Sequence, residues 1–252
     1  MKSITENKNR IGNFTSSQIF VLMSEGKTKG TFGKPALNYI EECNMERKLE
    51  RSLETESNAR PLVWGRVMES YCFNLLGTEY KLSSQETVTH PEVSYWSGSS
   101  DGNKFDEGRT VFDIKMPITL KSFCQLVEPL YKVPALTGLE AMNYIRENHK
   151  EGEKYYWQLV SNAILTNSKY AELIVCVPYL SELEAIREVV RNFDGNQNPL
   201  AWIVFAENNE LPYLNNNGFY KSLNIIRFEV PEIDKIILTT KVKEAGKFLI
   251  NN

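Results

Sequence analysis

The sequence predicts a three-layer α/β fold, with helices on both faces of a central mixed sheet, and three features predict it. Helical stretches come first, over about 35–53 and 60–76. Strand-like segments follow at 93–96 (VSYW) and 110–116 (TVFDIKM). Beyond them helices and strands are mixed, the pattern of a sheet covered on both sides.

The elements read in order as follows. Thr15-Ser16-Ser17-Gln18 has the form of a capping box before the apolar run IFVLM and predicts a first helix there. The Gly/Lys-rich stretch 26–34 is a loop, and the helices over 35–53 and 60–76 follow it. The turn between the first two strands contains Asp101-Gly102, a common turn pair. Helices are predicted over 136–149, 154–166 and 181–192, and ELIVCV at 172–177 is a buried strand. WIVFA (202–206) and LNIIRFEV (223–230) are strands flanking an Asn-rich loop, and an amphipathic helix over 231–249 closes the chain.

With 252 residues, 42% hydrophobic and 24% charged, the chain can bury one sizeable core and reads as a single domain over 1–252. The first ten residues are polar with no apolar signal region, and the longest apolar run, LIVCV at 173–177, is far short of a membrane span. This predicts a soluble, cytoplasmic protein with no membrane partner. The four cysteines form no C-x-x-C pair, which argues against a zinc knuckle or a secreted disulfide framework and for reduced structural thiols. A formal charge of −3 argues against a protein that coats nucleic acid with its whole surface. Residues 1–66 carry eleven Lys/Arg against eight Glu, and the remainder eighteen basic against twenty-four acidic residues. That split fits a basic N-terminal element facing an acidic, metal-collecting remainder, and a solvated charged surface equally well. With only His90 and His149, nucleases built on a histidine base are poor candidates.

The segment Thr110-Val111-Phe112-Asp113-Ile114-Lys115-Met116-Pro117 is the most informative. On a strand, Asp113 and Lys115 share one face while Phe112, Ile114 and Met116 pack on the other. Phosphodiester hydrolysis needs a metal held by carboxylates, and a nearby ammonium can orient the attacking water or stabilise transition-state charge. Alone, Asp-x-Lys is more often a surface ion pair on a strand. Asp101 supplies a second carboxylate twelve residues earlier, although Asp-Gly is by itself an ordinary turn. Glu69 shares a helix face with Gly65, Cys72, Phe73 and Leu76, a partly apolar stripe on which a carboxylate needs a partner or an outlet to solvent. Gly65 leaves room there for a close approach by backbone or ligand. Gln158 lies mid-helix on a face with Tyr155, Ser161 and Asn162, where an amide can orient water or touch a phosphate.

The joint order of Glu69 on an early helix, Asp101, Asp113-Ile114-Lys115 on a strand and Gln158 on a later helix resembles the PD-(D/E)XK nuclease superfamily. Leu62-Val63-Trp64-Gly65-Arg66 with Glu69, Ser99-Ser100-Asp101-Gly102 and Asp113-Ile114-Lys115-Met116-Pro117 are similar to the helix, the first metal turn and the acid-x-Lys-x-Pro strand of the phage lambda-type (alkaline) exonucleases of viral recombination. The likeness covers roughly residues 8–127 and 154–177, with a weaker match over the closing strand and helix.

The resemblance implies a restriction-endonuclease-like α/β/α fold and metal-dependent hydrolysis of double-stranded DNA ends, 5′-to-3′, in phage-type recombination. It implies Mg²⁺, replaceable by Mn²⁺, on Asp101 and Asp113, with Glu69 assisting and Ile114 in the set; Lys115 would act on the nucleophilic water, with Gln158 in the same catalytic group. Arg10, Ser17 and Lys27 resemble the family's 5′-phosphate pocket, Ser99 a further DNA contact, and Lys121 the next basic contact to the scissile region. A capped helix N-terminus beside Arg and Lys is in its own right a ready anion site. The family also implies a homo-oligomer, a ring-shaped trimer, and a single-strand annealing protein as partner.

The sequence departs from the family in reading Ser-Asp for Pro-Asp at Ser100-Asp101, and in having Asp113 where the lambda-type enzyme has Glu. The stretch 129–155 is longer than in the close family, and the loop at 208–217 has no clear counterpart. Two alternatives remain open: a restriction-type endonuclease of the same fold, and a non-catalytic DNA-end binding protein. The complete set of Glu69, Asp101, Asp113 and Lys115 argues against the second.

Overall fold

The segment TVFDIK forms a strand at the centre of a five-stranded sheet, and its alternating side chains divide the core of the protein in two. A computed structural model describes residues 9–53, 59–83, 87–192 and 199–250. The strands are β1 (Phe14–Thr15), β2 (Tyr80–Leu82), β3 (Val88–Thr89), β4 (Trp96–Gly98), β5 (Gly102–Lys104), β6 (Thr110–Lys115), β7 (Tyr170–Cys176) and β8 (Leu223–Glu229). The helices are α1 (Lys34–Leu49), α2 (Arg60–Asn74), α3 (Leu120–Tyr131), α4 (Gly138–Asn148), α5 (Gly152–Leu165), α6 (Leu183–Arg191), α7 (Ala201–Phe205) and α8 (Glu232–Gly246). The large sheet is ordered β2-β5-β6-β7-β8, with β6 and β7 parallel and the other pairs antiparallel; a small sheet is ordered β1-β4-β3.

Val111, Leu173 and Val175 point from the large sheet into a core shared with α3, α4, α5 and α8. Phe112, Ile114, Ile174 and Cys176 point the other way, against Trp64, Met68 and Cys72 of α2, Leu183, Ile186 and Val190 of α6, and Ile203 of α7. The period-two alternation of a pleated strand therefore produces the three layers directly. Each large apolar side chain taken fully from water contributes on the order of 1.5–3 kcal/mol before entropy is subtracted, which makes the two faces of β6 and β7 the main source of cohesion.

The structure corrects the predicted elements in several places; of the predicted strand VSYW, Ser94 and Tyr95 form a turn and only Trp96 is in a strand, β4. Residues Ile19–Met23 form a five-residue 3-10 helix whose N-cap, Gln18, has no side-chain cap, because Thr15 is already paired in β1 and its hydroxyl meets Ser17 and Tyr39. The apolar run at 202–206 is the helix α7, packed on α6, with Arg187 Nη2 donating to the Ala206 carbonyl at 2.9 Å; a run of five apolar residues is too short for periodicity to separate strand from helix. Helix α3 lies where no element is predicted; Thr119 caps it by accepting from Ser122 N, and Phe123, Leu126 and Val127 form its buried stripe despite Pro129 within it. Finally, Gly102 opens β5, so Ser99-Ser100-Asp101 is the passage from the small sheet to the large one and not a hairpin turn. The β5–β6 hairpin closes instead through Gly108 and Arg109, both at positive φ. No helix among the described residues is long and apolar enough to cross a membrane.

On the face of the sheet away from α5, Glu172 of β7 is 1% exposed and accepts from Tyr80 Oη at 2.8 Å. Lys104 Nζ lies 3.5 Å and Arg227 Nη1 3.7 Å from its carboxylate, and Arg227 also pairs with Asp106. One buried charge thus ties β2, β5, β7 and β8 together.

Candidate active site

Asp113 and Lys115 project from β6 towards α5, on the Val111 side of the sheet. Asp113 is 2% exposed; its Oδ1 accepts from Gln158 Nε2 at 2.9 Å and its Oδ2 forms an ion pair with Lys115. Lys115 Nζ also reaches Gln158 Oε1 at 3.5 Å and stands 4.8 Å from the ring centroid of Tyr155. Tyr155, Gln158, Ser161 and Asn162 form one face of α5, as helical spacing requires. Ser161 and Asn162 continue that face into the protein. Ser161 Oγ bonds to Ser16 Oγ at 2.8 Å and to Trp96 Nε1 at 2.9 Å.

Asp101 arrives from the start of β5, the strand beside β6. The antiparallel register pairs Gly102 with Phe112, and carried one residue further it sets Asp101 opposite Asp113, where Cα atoms of facing residues are about 4.5–5.5 Å apart. The β5–β6 ladder has ended there, and Asp101 Oδ2 takes the place of a main-chain acceptor by binding Ile114 N at 2.6 Å. Gly102 allows this crossing: a Cβ there would lie 2.2 Å from the Lys81 carbonyl oxygen and 2.4 Å from the Phe112 ring. Burial pushes the Asp101 carboxyl well above the usual carboxylate range, and Asp113 adds to the shift while Lys115 offsets part of it. Glu69, half-buried on α2 in the opposite layer, is raised by its own burial and by Asp113, again against the pull of Lys115. The Lys115 ammonium is disfavoured by burial, yet Asp113 and Asp101 outweigh that and its pKa is raised. Three carboxylates therefore share one ammonium.

This donor set fits a hard divalent cation. The donors present are all oxygen, counting the main-chain carbonyl of Ile114, and Asp101 and Glu69 are raised first by their burial and then by the charge of Asp113, which a bound cation would offset. Among the described residues no three Asp, Glu, His or Cys side chains close on a single ion position; Asp101 is turned onto Ile114 N, and Asp113 onto Gln158 and Lys115.

The residues proposed from sequence to touch phosphate are only partly brought together. Strand β1 pairs in parallel with β4, Thr15 facing Ser97, and Ser17 and Ser99 each lie two residues beyond this pair at the same end. Gly98 makes the approach possible, since a Cβ there would meet Ser16 Oγ at 2.0 Å. Arg10 Nη2 reaches Ser17 Oγ at 3.5 Å, and Ser99 Oγ lies 3.2 Å from Thr87 Oγ1. Arg10 also lines a cleft of about 510 Å³ with Thr15, Gln18, Tyr39 and Glu42. Lys27 does not line it, and is exposed in the loop closed by the Glu25–Phe32 bridge. The anion site expected from a capped helix also falls away, because the short 3-10 helix has no such N-terminus. Lys121 is exposed in the first turn of α3. The contact of Tyr155 with Lys115 lies outside what the sequence predicts; its position three residues before Gln158 is the signal for it.

No family model matches the sequence, and no curated protein does. Among solved structures, the chain is similar to an alkaline exonuclease from Laribacter hongkongensis, at a TM-score of 0.54 and 14% identity over 96% of this chain and 90% of that one. The same exonuclease in complex with dAMP gives equal values. A phage-related exonuclease from Haemophilus somnus 129PT matches at a TM-score of 0.57 and 13% identity, over 94% of this chain and 92% of that one. At such identities the likeness establishes a common fold.

Proposed function

We propose that this chain, which has the fold of the alkaline and phage-related exonucleases, is a metal-dependent deoxyribonuclease that hydrolyses double-stranded DNA from its ends, 5′-to-3′. The observation that carries this reading is the convergence of Asp101, Asp113, Lys115 and Gln158 about the end of β6, with Glu69 in electrostatic contact. Asp101 and Asp113 would hold Mg²⁺ or Mn²⁺ with the Ile114 carbonyl, Glu69 assisting. Such an ion supplies Lewis-acid polarisation of the phosphoryl group and a water acidic enough to attack near neutral pH. Lys115 brings a fixed positive charge to the phosphoryl oxygens, where negative charge grows in the transition state, and its N–H groups can orient the incoming water. Gln158 acts as a clamp, donating to Asp113 and accepting from Lys115, so both functional groups keep one orientation.

Two expected results test this. Cleavage of linear duplex DNA is expected to stop in excess chelator and to return with Mg²⁺ or Mn²⁺. In parallel, Mn²⁺ binding followed by calorimetry should be lost in Asp101→Asn. Undiminished cleavage in chelator would remove the metal from the proposal.

The geometry of Arg10 and Ser17, beside the passage that leads to Asp101, supports recognition of a terminal 5′-phosphate. A dianionic phosphate gains more from a guanidinium than an internal diester does. Wild type should therefore digest 5′-phosphorylated ends faster than 5′-hydroxyl ends, and Arg10→Ala should erase most of that difference. Equal rates on the two ends for wild type would favour the endonuclease alternative, which cleavage of a supercoiled circle would then establish.

A further inference from the structure

We propose that Tyr155 is a positioning residue for Lys115, its ring being the wall that holds the ammonium at the carboxylate cluster; this rests on the nuclease reading above. Lys115 is 21% exposed, and among the described residues its Nζ meets the Asp113 carboxylate, Gln158 Oε1 at 3.5 Å and the face of Tyr155 at 4.8 Å. Two of them, Tyr155 and Gln158, are one helical turn apart on α5, so the helix presents them as a unit. A lysine on a four-carbon stem must give up much rotamer freedom to act from one place, and walls built into the folded protein take up that loss before substrate arrives. An aromatic face suits the role because it attracts an ammonium without engaging a particular N–H, leaving donors for water or a phosphoryl oxygen. A second carboxylate there would hold the charge more tightly and occupy a donor.

The ring is itself fixed from behind. Tyr155 stacks on His149 at 5.7 Å between centroids and 25° between planes, and His149 is 4% exposed. Its Nδ1 accepts from Glu151 N at 3.2 Å, which leaves Nε2 to carry the proton and donate to Ser122 Oγ at 2.8 Å. A neutral imidazole thus backs the ring without repelling Lys115, and both ring nitrogens are engaged. The stack runs from Ser122 of α3 through His149 and Tyr155 to the reactive lysine.

The test compares wild type, Tyr155→Leu and Tyr155→Phe. Steady-state cleavage of a linear duplex should show kcat lowered about tenfold in Tyr155→Leu with KM within about twofold of wild type, and most of that loss restored in Tyr155→Phe. A merely structural role would instead lower the melting temperature and the amount of active protein while leaving kcat per active site intact. The second measurement needs neither metal nor DNA: the ε-methylene protons of Lys115, identified by their loss in Lys115→Ala, should resonate upfield from the ring current and move back in Tyr155→Leu. Wild-type kcat in Tyr155→Leu, a Phe variant as impaired as the Leu variant, or an unmoved lysine resonance would each overturn the proposal. Tyr155→Phe keeps the comparison decisive should the leucine variant fail to fold. Absence of cleavage by wild type would instead overturn the nuclease reading itself, with the resonance still reporting whether the ring holds Lys115.

Discussion

Asp113→Asn and Lys115→Ala are each expected to lower the rate of DNA cleavage by about 10²-fold or more, the usual cost of one lost electrostatic contact to a transition state. Their effects on stability should differ. Asp113 adds to the shifts of Asp101 and Glu69, so Asp113→Asn relieves that repulsion and keeps the shape of the side chain, while the Lys115 ammonium it gives up still faces Asp101. Its melting temperature is expected to equal or exceed that of wild type, the exchange of stability against function that active sites show. Lys115→Ala removes the one ammonium the three carboxylates share and should melt lower. The pH dependence follows from the direction of the Asp101 shift. A carboxyl raised in the folded state gives stability that is fully present below its unfolded value, about 3.9, and that is lost as pH rises through the elevated folded pKa. The advantage of Asp113→Asn over wild type should therefore widen as pH rises from the ordinary carboxylate range, measured by thermal unfolding across that range. Near-normal cleavage in either variant would take that residue out of the mechanism.

Glu172→Ala is expected to destabilise the protein by about 3 kcal/mol without touching the chemistry. The cost of removing one partner of a buried ion pair is roughly 3–5 kcal/mol. The lower end applies because the Arg227 side chain is 36% exposed and water can take over part of its solvation. The substitution leaves Lys104 without its buried carboxylate and the Tyr80 hydroxyl without its acceptor. Glu172→Gln retains an acceptor for Tyr80 and should cost less. Urea unfolding of the three proteins measures the difference; a loss under about 1 kcal/mol for the alanine variant would mean that the network is solvated and contributes as a surface pair does.

Much of this architecture is legible along the chain. Helices α1, α2, α4, α5, α6 and α8 and strands β6, β7 and β8 lie where local patterning predicts them, within a few residues at their ends. The shared face of Asp113 and Lys115 follows from strand periodicity alone, and the polar face of α5 from helical spacing. The failures occur where local signals compete or are weak. WIVFA is strongly apolar and β-branched, yet the helix α6 gives it a surface to pack on and Arg187 closes its end. The Thr15 hydroxyl could have capped a helix and was taken by Ser17 and Tyr39. In α3 the apolar stripe and the Thr119 cap outweigh an interior proline.

By itself, then, the sequence determined the layer order, the two faces of β6 and which carboxylates are the candidates for holding a cation, because these depend on periodicity and side-chain chemistry within short segments. Only the tertiary structure decided which of those groups meet. Asp101 stands opposite Asp113 because the β5–β6 register and the bare Cα of Gly102 put it there. Ser17 comes to the same end as Ser99 through a parallel pairing across some eighty residues, Thr15 with Ser97, and Arg10 reaches its hydroxyl there, while Lys27 stays outside the cleft that Arg10 lines. Tyr155 touches Lys115 because α5 packs on β6 at the depth that sets its ring under the ammonium. Contacts of this kind depend on register and packing between segments far apart in the chain, and no periodicity within one segment encodes them.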